Sequence, residues 1–341
     1  MVGNLPLGQV EGWVILLTAF IFNLLVCSQT SLSRALSTPL ALSARAIDLL
    51  ERRYNRPELT DAMRKVDGIS SAAILVAIAL IIGLFLDWFL GNAPYGWVLD
   101  AILLGATLHF RAHLDQSGTT AGALERSVEE GRAVLALFTA RDTAEYDEAA
   151  VARGAVEASA RALPDGVIGP LFWYVLFGLP GLFIFKVINL SHHMIDERTD
   201  YAACFGWAPA RLNELLIWPV DRISGIISGF AAAFVPDGHI IQALRSAFTM
   251  RKLSDSMTGG WPAAAFAGAL NIQLGGPVSY HHKVVNTCWY GDGSRLADIS
   301  HIRKARLLFG ISSGIFFALM VGAALVLPVA IFSMRHIPLP F

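Results

Sequence analysis

Long apolar runs alternate with shorter polar stretches along this chain, and the runs have the length of membrane helices. A helix needs roughly 20 mostly apolar residues to cross the hydrocarbon, because an exposed backbone finds no hydrogen-bond partner in lipid. Three runs meet this: GWVILLTAFIFNLLVC (Gly12–Cys27, short but strongly apolar), AAILVAIALIIGLFLDWFL (Ala72–Leu90) and LLFGISSGIFFALMVGAALVLPVAIF (Leu307–Phe332). A shorter run, YGWVLDAILLGATLHF (Tyr95–Phe110), follows the second so closely that the pair predicts a transmembrane hairpin across GNAP. Asp87 and Asp100 lie inside this pair, and ionisable groups in a span usually face a polar interior.

Two further segments are open to more than one reading. GVIGPLFWYVLFGLPGLFIFKVINL (Gly166–Leu190) is apolar but interrupted at Gly178, Pro180 and Gly181. Proline removes a backbone donor, so this segment predicts a kink or a re-entrant turn, broken at Pro180. LNELLIWPVDRISGIISGFAAAF (Leu212–Phe234) places Leu212, Leu215, Leu216, Ile223, Ile226, Ile227, Phe230 and Phe234 on one helical stripe. Asn213, Asp221, Ser224 and Ser228 gather on the other side, which predicts an amphipathic helix in the interface or in the bundle. Four spans result if neither segment crosses, six if both do.

Residues 111–165 interrupt the apolar pattern with helical spacing of apolar and charged positions and a break at RDTAEY. They predict a helical insert that packs on the bundle and is too short to be an independent enzyme domain. The fold class is therefore all-α: a polytopic integral membrane helical bundle, one domain over residues 1–341, with a cytoplasmic helical insert and re-entrant or interfacial segments.

Composition agrees with a membrane protein. Hydrophobic residues make up 55% of the 341, and charged ones only 16%, against about 25% in average globular chains. Twenty-six basic and 27 acidic residues leave no basic field, and no recognition motif for nucleic acid is present. Cys27, Cys204 and Cys288 stand too far apart in sequence to form a CxxC pair. The start, MVGNLPLGQVEGW, lacks a basic region and a cleavage site, so the first apolar run is predicted to be retained. Basic residues crowd 30–69, 111–165 and 236–304 and are missing from the first segment and the GNAP turn. The positive-inside bias then puts those three regions in the cytoplasm and both termini outside.

Candidate chemistry is local. No phosphate-loop, zinc-protease, nucleophile-elbow or CxxC motif is present. TGGWPAAAFAGALNIQLGGPVSYHH (Thr258–His282) begins as a helix start, with Thr258 as cap ahead of Gly259, Gly260 and Pro262. Such a start can hold a phosphate or carboxylate, or can simply be a close-packed helix end. NLSHHMIDERTD pairs His192 with Asp196 and His193 with Glu197 at helical spacing, a pattern for metal or acid–base chemistry or for a solvated connector; His281 adds interest only beside it. Asp142, Asp147 and Asp165 near turns can hold Mg²⁺ with a substrate phosphate, or can cap helices. WYGDGSR (Trp289–Arg295) reads as a turn.

Taken together, RDTAEYDEAAVARGAVEASARALPDGVIGPLFW, FGWAPARLNELL, GGWPAAAFAGALNIQLGGPVSY and the later GDG resemble, in order and spacing, the CbiB/CobD family of cobalamin biosynthesis membrane proteins. The resemblance runs from about Leu36 to about Phe309. It implies an adenosylcobinamide-phosphate synthase of the bacterial inner membrane. Such an enzyme joins an aminopropanol or ethanolamine (phosphate) to the free carboxylate of adenosylcobyric acid, forming an amide at the expense of ATP with Mg²⁺. The implied partners are the corrinoid, the amino alcohol, the lipid bilayer, and further copies of the chain or other corrin-pathway membrane proteins.

The resemblance implies Asp142, Asp165, Asn189 and Asp292 as catalytic, and Arg141, Thr143, Thr258, Gly259, Gly260, Gly275 and Gly276 as substrate-binding. Departures accompany it. Where the family has Gly-Asp-Pro and His-Pro, this chain has Ser31-Leu32-Ser33 and Thr38-Pro39. Arg161-Ala162 replaces a Glu-Asn pair, and Ser254–Gly260 replaces His-x-Ser-Pro-Asn-x-Gly. His192-His193 replaces an Asp-Ser pair, which makes His192, His193, Asp196 and His281 candidate metal ligands. The competing reading is a repurposed member, a membrane scaffold or a tetrapyrrole or metal binder. Either way the polar residues are expected to converge on one cytoplasm-facing cavity, since ionisable groups beside apolar helices are costly unless they share water, ligand or each other.

Overall fold

The computed structural model describes residues 12–25, 38–56, 58–139, 141–195, 200–250, 260–280 and 283–326. In chain order its elements are α1 (Gly12–Leu25), α2 (Thr38–Tyr54), α3 (Asp61–Asn92), α4 (Gly96–Thr107), α5 (Phe110–Arg126), α6 (Val128–Ala136) and α7 (Glu148–Leu163). A π-helical turn (Pro164–Ile168) leads into α8 (Gly169–Met194) and α9 (Asp200–Ala231). Then come α10 (Ile240–Met250), α11 (Trp261–Leu270), the hairpin strands β1 (Leu274–Tyr280) and β2 (Lys283–Tyr290), and α12 (Ile299–Val326). The chain forms two compact units. One comprises Met1–Leu108, Gly169–Leu216 and Leu319–Phe341, the other His109–Ile168 and Ile217–Ala318.

Four helical stretches are long and apolar enough to cross a membrane: Asp61–Asn92, Glu148–Met194, Cys204–Phe234 and Ile299–Leu325. Both segments left open by the sequence pattern are among them. Among the described residues, two of the runs read as spans form shorter helices, 14 residues in α1 and 12 in α4. At 1.5 Å per residue α4 reaches only about 18 Å, against a hydrocarbon core of about 30 Å.

In the first unit α1 and α4 complete each other. Gly105 of α4 lies so near Ala19 that a Cβ there would sit 2.6 Å from the Ala19 carbonyl oxygen. Buried Asn23 donates from Nδ2 to the carbonyls of Gly105 (3.0 Å) and Leu108 (2.7 Å). It thereby satisfies orphan acceptors at the end of α4 that lipid could not. The hairpin predicted across GNAP is present, with Tyr95 in the left-handed region (φ 61) just before α4. Asp100 is buried in it.

The long helix α3 starts eleven residues before its apolar run, where Thr60 caps it by accepting from the Met63 amide. Its small residues face inward. A Cβ on Gly83 would lie 2.5 Å from Pro180 Cα, and Gly68 meets the backbone of Phe205. Leu75 and Ala79 share a core with Val187, Ile188 and Ile47 of α2. Residue 83 beside 180, with 75 and 79 beside 187 and 188, means that α3 and the second half of α8 run antiparallel. Ile78, Ile81, Leu84, Phe85 and Trp88 point outward as an apolar face suited to lipid.

The bend in α8 falls at Gly178 (φ 65, ψ −150), two residues before the proline to which the sequence assigns it. Pro180 supplies no donor and disfavours a helical conformation for Leu179, so the chain turns where a glycine can leave the helical region without steric cost. The turn is sharp. A Cβ on Gly181 would lie 2.5 Å from the carbonyl oxygen of Trp173, eight residues back, which a straight helix would hold about 12 Å away along its axis. Two arms that fold back in this way are what a re-entrant segment requires.

The helix α9 reverses the usual soluble pattern. Its polar side is buried: Asn213 within the first unit, and Asp221, Ser224 and Ser228 within the second. Leu215, Phe230 and Phe234 of the apolar stripe are exposed. The polar face packs inward, as it does in a bundle whose surroundings are lipid. In the second unit Ser228 meets Ser312 of α12 at 3.4 Å, and α5 stacks Phe110 on Phe309 (5.8 Å between ring centres). Residues 111–165 belong to this same unit and contribute helices α5, α6 and α7 to it.

Candidate functional site

The RDT turn is built from within the second unit. Asp147 caps α7 by accepting from the Ala150 amide at 2.7 Å. Asp142 accepts from the Ala144 amide at 3.3 Å, an Asx turn that holds its carboxylate half-buried at the edge of the loop. Thr143 is buried and donates to the Arg132 carbonyl at 3.1 Å; Arg132 in turn donates to the Tyr146 carbonyl at 2.5 Å. The loop is thus pinned to α6 at two points, and Asp142 has a fixed orientation.

Arg141 has a structural partner that the sequence pattern does not show. Its guanidinium pairs with the Glu157 carboxylate of α7, and the two side chains are only 10% and 6% exposed. The other Glu157 oxygen accepts from the Gly275 amide of β1 at 2.5 Å. A buried carboxylate needs both a counter-charge and hydrogen bonds, and here it has them from two distant segments. Glu157 therefore ties the RDT loop to the glycine-rich hairpin. Gly275 and Gly276 adopt positive φ (84 and 80), where the chain kinks into this contact; a Cβ on Gly276 would overlap the Trp289 ring.

Asp165 and Gly166, which composition marks as a turn, lie instead in the π-helical turn between α7 and α8. A π turn widens the helix and is frequent at functional sites. The Gly166 carbonyl accepts from the His109 amide at 2.9 Å, which fixes the turn against the start of α5. Asp165 is half-buried there and is not without partners.

The Gly291-Asp292-Gly293 turn closes the hairpin against the end of α11. Gly291 has φ +86, Asn271 caps α11 in the left-handed region (φ 52), and a Cβ on Gly293 would overlap the Asn271 carbonyl. Beside this turn lies a cavity of about 230 Å³, lined by Gln242, Arg245 and Ser246 of α10, by Gly268 and Asn271, and by Asp292. The helix start on the other end of α11 differs from the expectation. Gly260, in the left-handed region (φ 60), is the N-cap, and the Tyr290 ring lies against it. Thr258 and Gly259, read from the sequence as cap and binding glycine, lie outside the described residues.

These motifs, in this order on a membrane-helix frame, have relatives. The CobD/Cbib protein family profile matches residues 16–309. This chain belongs to that family. A cobalamin biosynthesis protein CobD from a Sinorhizobium species is 36% identical over 71% of this chain and 76% of its own length. That of Rhizobium meliloti is 31% identical over 87% and 92%, and one from Rhodobacter capsulatus 32% identical over 76% and 80%. No solved structure matches the chain.

The remaining family-motif residues lie in the first unit. Asn189 is buried in α8 and donates to Asn213 of α9 at 3.3 Å. His192 and His193 stand in the last turn of α8 with ring centres 5.4 Å apart, the first half-buried and the second exposed. Imidazoles at a helix C-terminus are favourably placed toward its dipole. Asp196 and His281, proposed above with them as metal ligands, lie outside the described residues. Among the described residues no group of three or more His, Cys, Asp or Glu side chains gathers as a metal site. Mg²⁺ is commonly held by one or two carboxylates plus substrate phosphates. Asp142, Asp165 and Asp292 are of the right chemical kind, all in the second unit.

Glu157 and Arg245 are the residues that sequence reasoning misses. Glu157 sits in an alanine-rich helical pattern among other charges, and only its partners, 16 and 118 residues away, mark it out. Arg245 is one of eight basic residues before the last apolar run, and nothing in its neighbours distinguishes it.

Proposed function

We propose that this protein performs the amide-forming step of cobalamin biosynthesis. It joins an aminopropanol or ethanolamine, as the phosphate or the free amino alcohol, to adenosylcobyric acid and yields cobinamide or its phosphate. The observation that carries this reading is the family match over residues 16–309, which spans both compact units and includes the RDT loop, the π turn with Asp165, Asn189 and the Gly-Asp-Gly turn. The reaction type is that of an acid–amine ligase, consuming ATP with Mg²⁺.

Amide formation develops negative charge on the carboxyl oxygens and releases a proton from the attacking ammonium. The chain's own residues suit parts of this. Asp142 is held at the loop edge by its Asx turn, and Asp165 projects from a widened helical turn. Both are carboxylates of the kind that orient a phosphate-bound Mg²⁺ or accept a proton. The corrinoid is a large amphiphile, and a membrane protein with an apolar outer face offers it a surface near the chemistry. We place the protein in the bacterial cytoplasmic membrane, with the RDT loop and the hairpin on the cytoplasmic side where ATP is found.

Complementation tests the reading directly. A strain lacking its own synthase and supplied with cobyric acid should make cobalamin when it carries this chain. Failure of a well-expressed protein to restore growth at any amino-alcohol supply would reject it.

A further inference from the structure

We propose that the cavity between α10, α11 and the Gly-Asp-Gly turn is the subsite for the small zwitterionic substrate, with Arg245 receiving its phosphate and Asp292 its ammonium group. This rests on the amide-forming reading above and adds where the amino-alcohol phosphate is held.

Four observations within the second unit carry it. The first is charge. The cavity wall carries one cation, Arg245, and one anion, Asp292, and among the described residues neither side chain makes an ion pair. Some other charges of this unit are paired: Arg141 with Glu157, Arg303 with Glu125, and Lys304 with Asp237. Two unpaired opposite charges among the lining residues of one hollow, both open to solvent, suit a ligand that carries both signs.

The second observation is size. The hollow measures about 230 Å³. Pockets for drug-sized ligands run from roughly 300 Å³ upward, so this one suits a molecule of few heavy atoms. The third is the rest of the lining. Gln242, Ser246 and Asn271 add uncharged donors and acceptors, which a hydroxyl or phosphate ester can use.

The fourth is that the hollow is shaped by backbone that allows no side chain. A Cβ on Gly268 would overlap the Gln242 carbonyl, and one on Gly293 would overlap the Asn271 carbonyl. With Gly291 at φ +86, these positions bring α10, α11 and the turn to their closest approach and set Asp292 on the rim. Arginine suits the phosphate end because its planar fork matches phosphate oxygens in pairs, and a carboxylate is the natural partner of an ammonium group.

The test uses full-length protein in detergent or nanodiscs and titration calorimetry with aminopropanol phosphate, free aminopropanol and inorganic phosphate. Arg245→Ala should weaken aminopropanol phosphate and inorganic phosphate by at least about tenfold and leave free aminopropanol unchanged, since only the charge-assisted phosphate contact is removed. Asp292→Asn should weaken both amine-bearing ligands and leave inorganic phosphate unchanged. Arg245→Lys and Asp292→Glu, which keep the charges, should recover part of each loss. Absence of aminopropanol phosphate binding to the wild type, or equal binding by wild type and both neutral variants, would overturn the subsite. So would loss of all three ligands together in either neutral variant. Complementation by the wild type with unaltered binding in the variants would reject the subsite and keep the synthase reading. Wild-type binding with the expected split, but no complementation, would reject the reading and keep the subsite.

Discussion

Arg141 and Glu157 form an ion pair that is almost wholly buried, and the same carboxylate accepts from the Gly275 amide. One glutamate thereby joins the RDT loop, helix α7 and the glycine-rich hairpin, three of the segments that mark the family. Arg141, which the resemblance implies as substrate-binding, thus has a structural partner of its own.

Removing one partner of a buried pair leaves the other charge without compensation, at a cost of about 3–5 kcal/mol. Arg141→Ala and Glu157→Ala should each lower the thermal stability of the purified protein and its level in the membrane. The double variant Arg141→Met/Glu157→Met should be more stable than either single one. Thermal unfolding in detergent checks this, and a stable, fully folded Arg141→Ala would show that the pair contributes little.

At Asp142 charge and turn can be told apart. Asparagine keeps an oxygen to accept from the Ala144 amide, whereas alanine removes it. Asp142→Asn and Asp142→Ala should both abolish complementation while protein level stays unchanged, and Asp165→Ala should do the same. Full activity of Asp142→Asn would mean that the loop's shape, not its charge, is what matters there.

His113 sets a pH dependence. It is buried in α5, 3.0 Å from Ser159 and 4.5 Å from the Phe309 ring centre. Burial holds its pKa down, from the ordinary 6.5 to about 4, despite a hydrogen bond to the Gln116 side chain that acts the other way. The unfolded chain therefore takes up the proton first as pH falls. Stability from this group is full above about pH 6.5 and is lost as pH drops toward 4, by up to about 3 kcal/mol. Denaturation midpoints measured from pH 7 to pH 4 should fall in the wild type. They should fall less in His113→Gln, and parallel curves for the two would sink the assignment.

The basic residues predict the sidedness of the chain. Single cysteines placed near Arg52, Arg126 and Arg295 in a cysteine-free background should resist impermeant thiol reagents in intact cells and react after permeabilisation. Rapid labelling of any one in intact cells would overturn the cytoplasmic placement of its region.

Much of this architecture is legible in the sequence alone. The α3–α4 hairpin, the helical character of 111–165, the interruption in α8 and the turn at Gly291-Asp292-Gly293 all follow from local pattern, because apolar run length, glycine, proline and capping residues act within a few positions of themselves. The ordered motifs likewise carry the family. What each helical face meets is another matter. Periodicity separates the polar from the apolar side of α9, yet in lipid it is the polar side, with Asn213, Asp221 and Ser228, that goes inside. No local spacing marks the hairpin β1–β2, since LGGPVSY finds its hydrogen-bond partners in a separate segment, KVVNTCWY. Glu157 meets Gly275 across 118 residues, and Arg245 and Asp292 line one hollow only because Gly268 and Gly293 allow two helix ends and a turn to touch. Such pairings depend on how separate segments pack, a decision made by burial and close approach in three dimensions, for which no local spacing is a substitute.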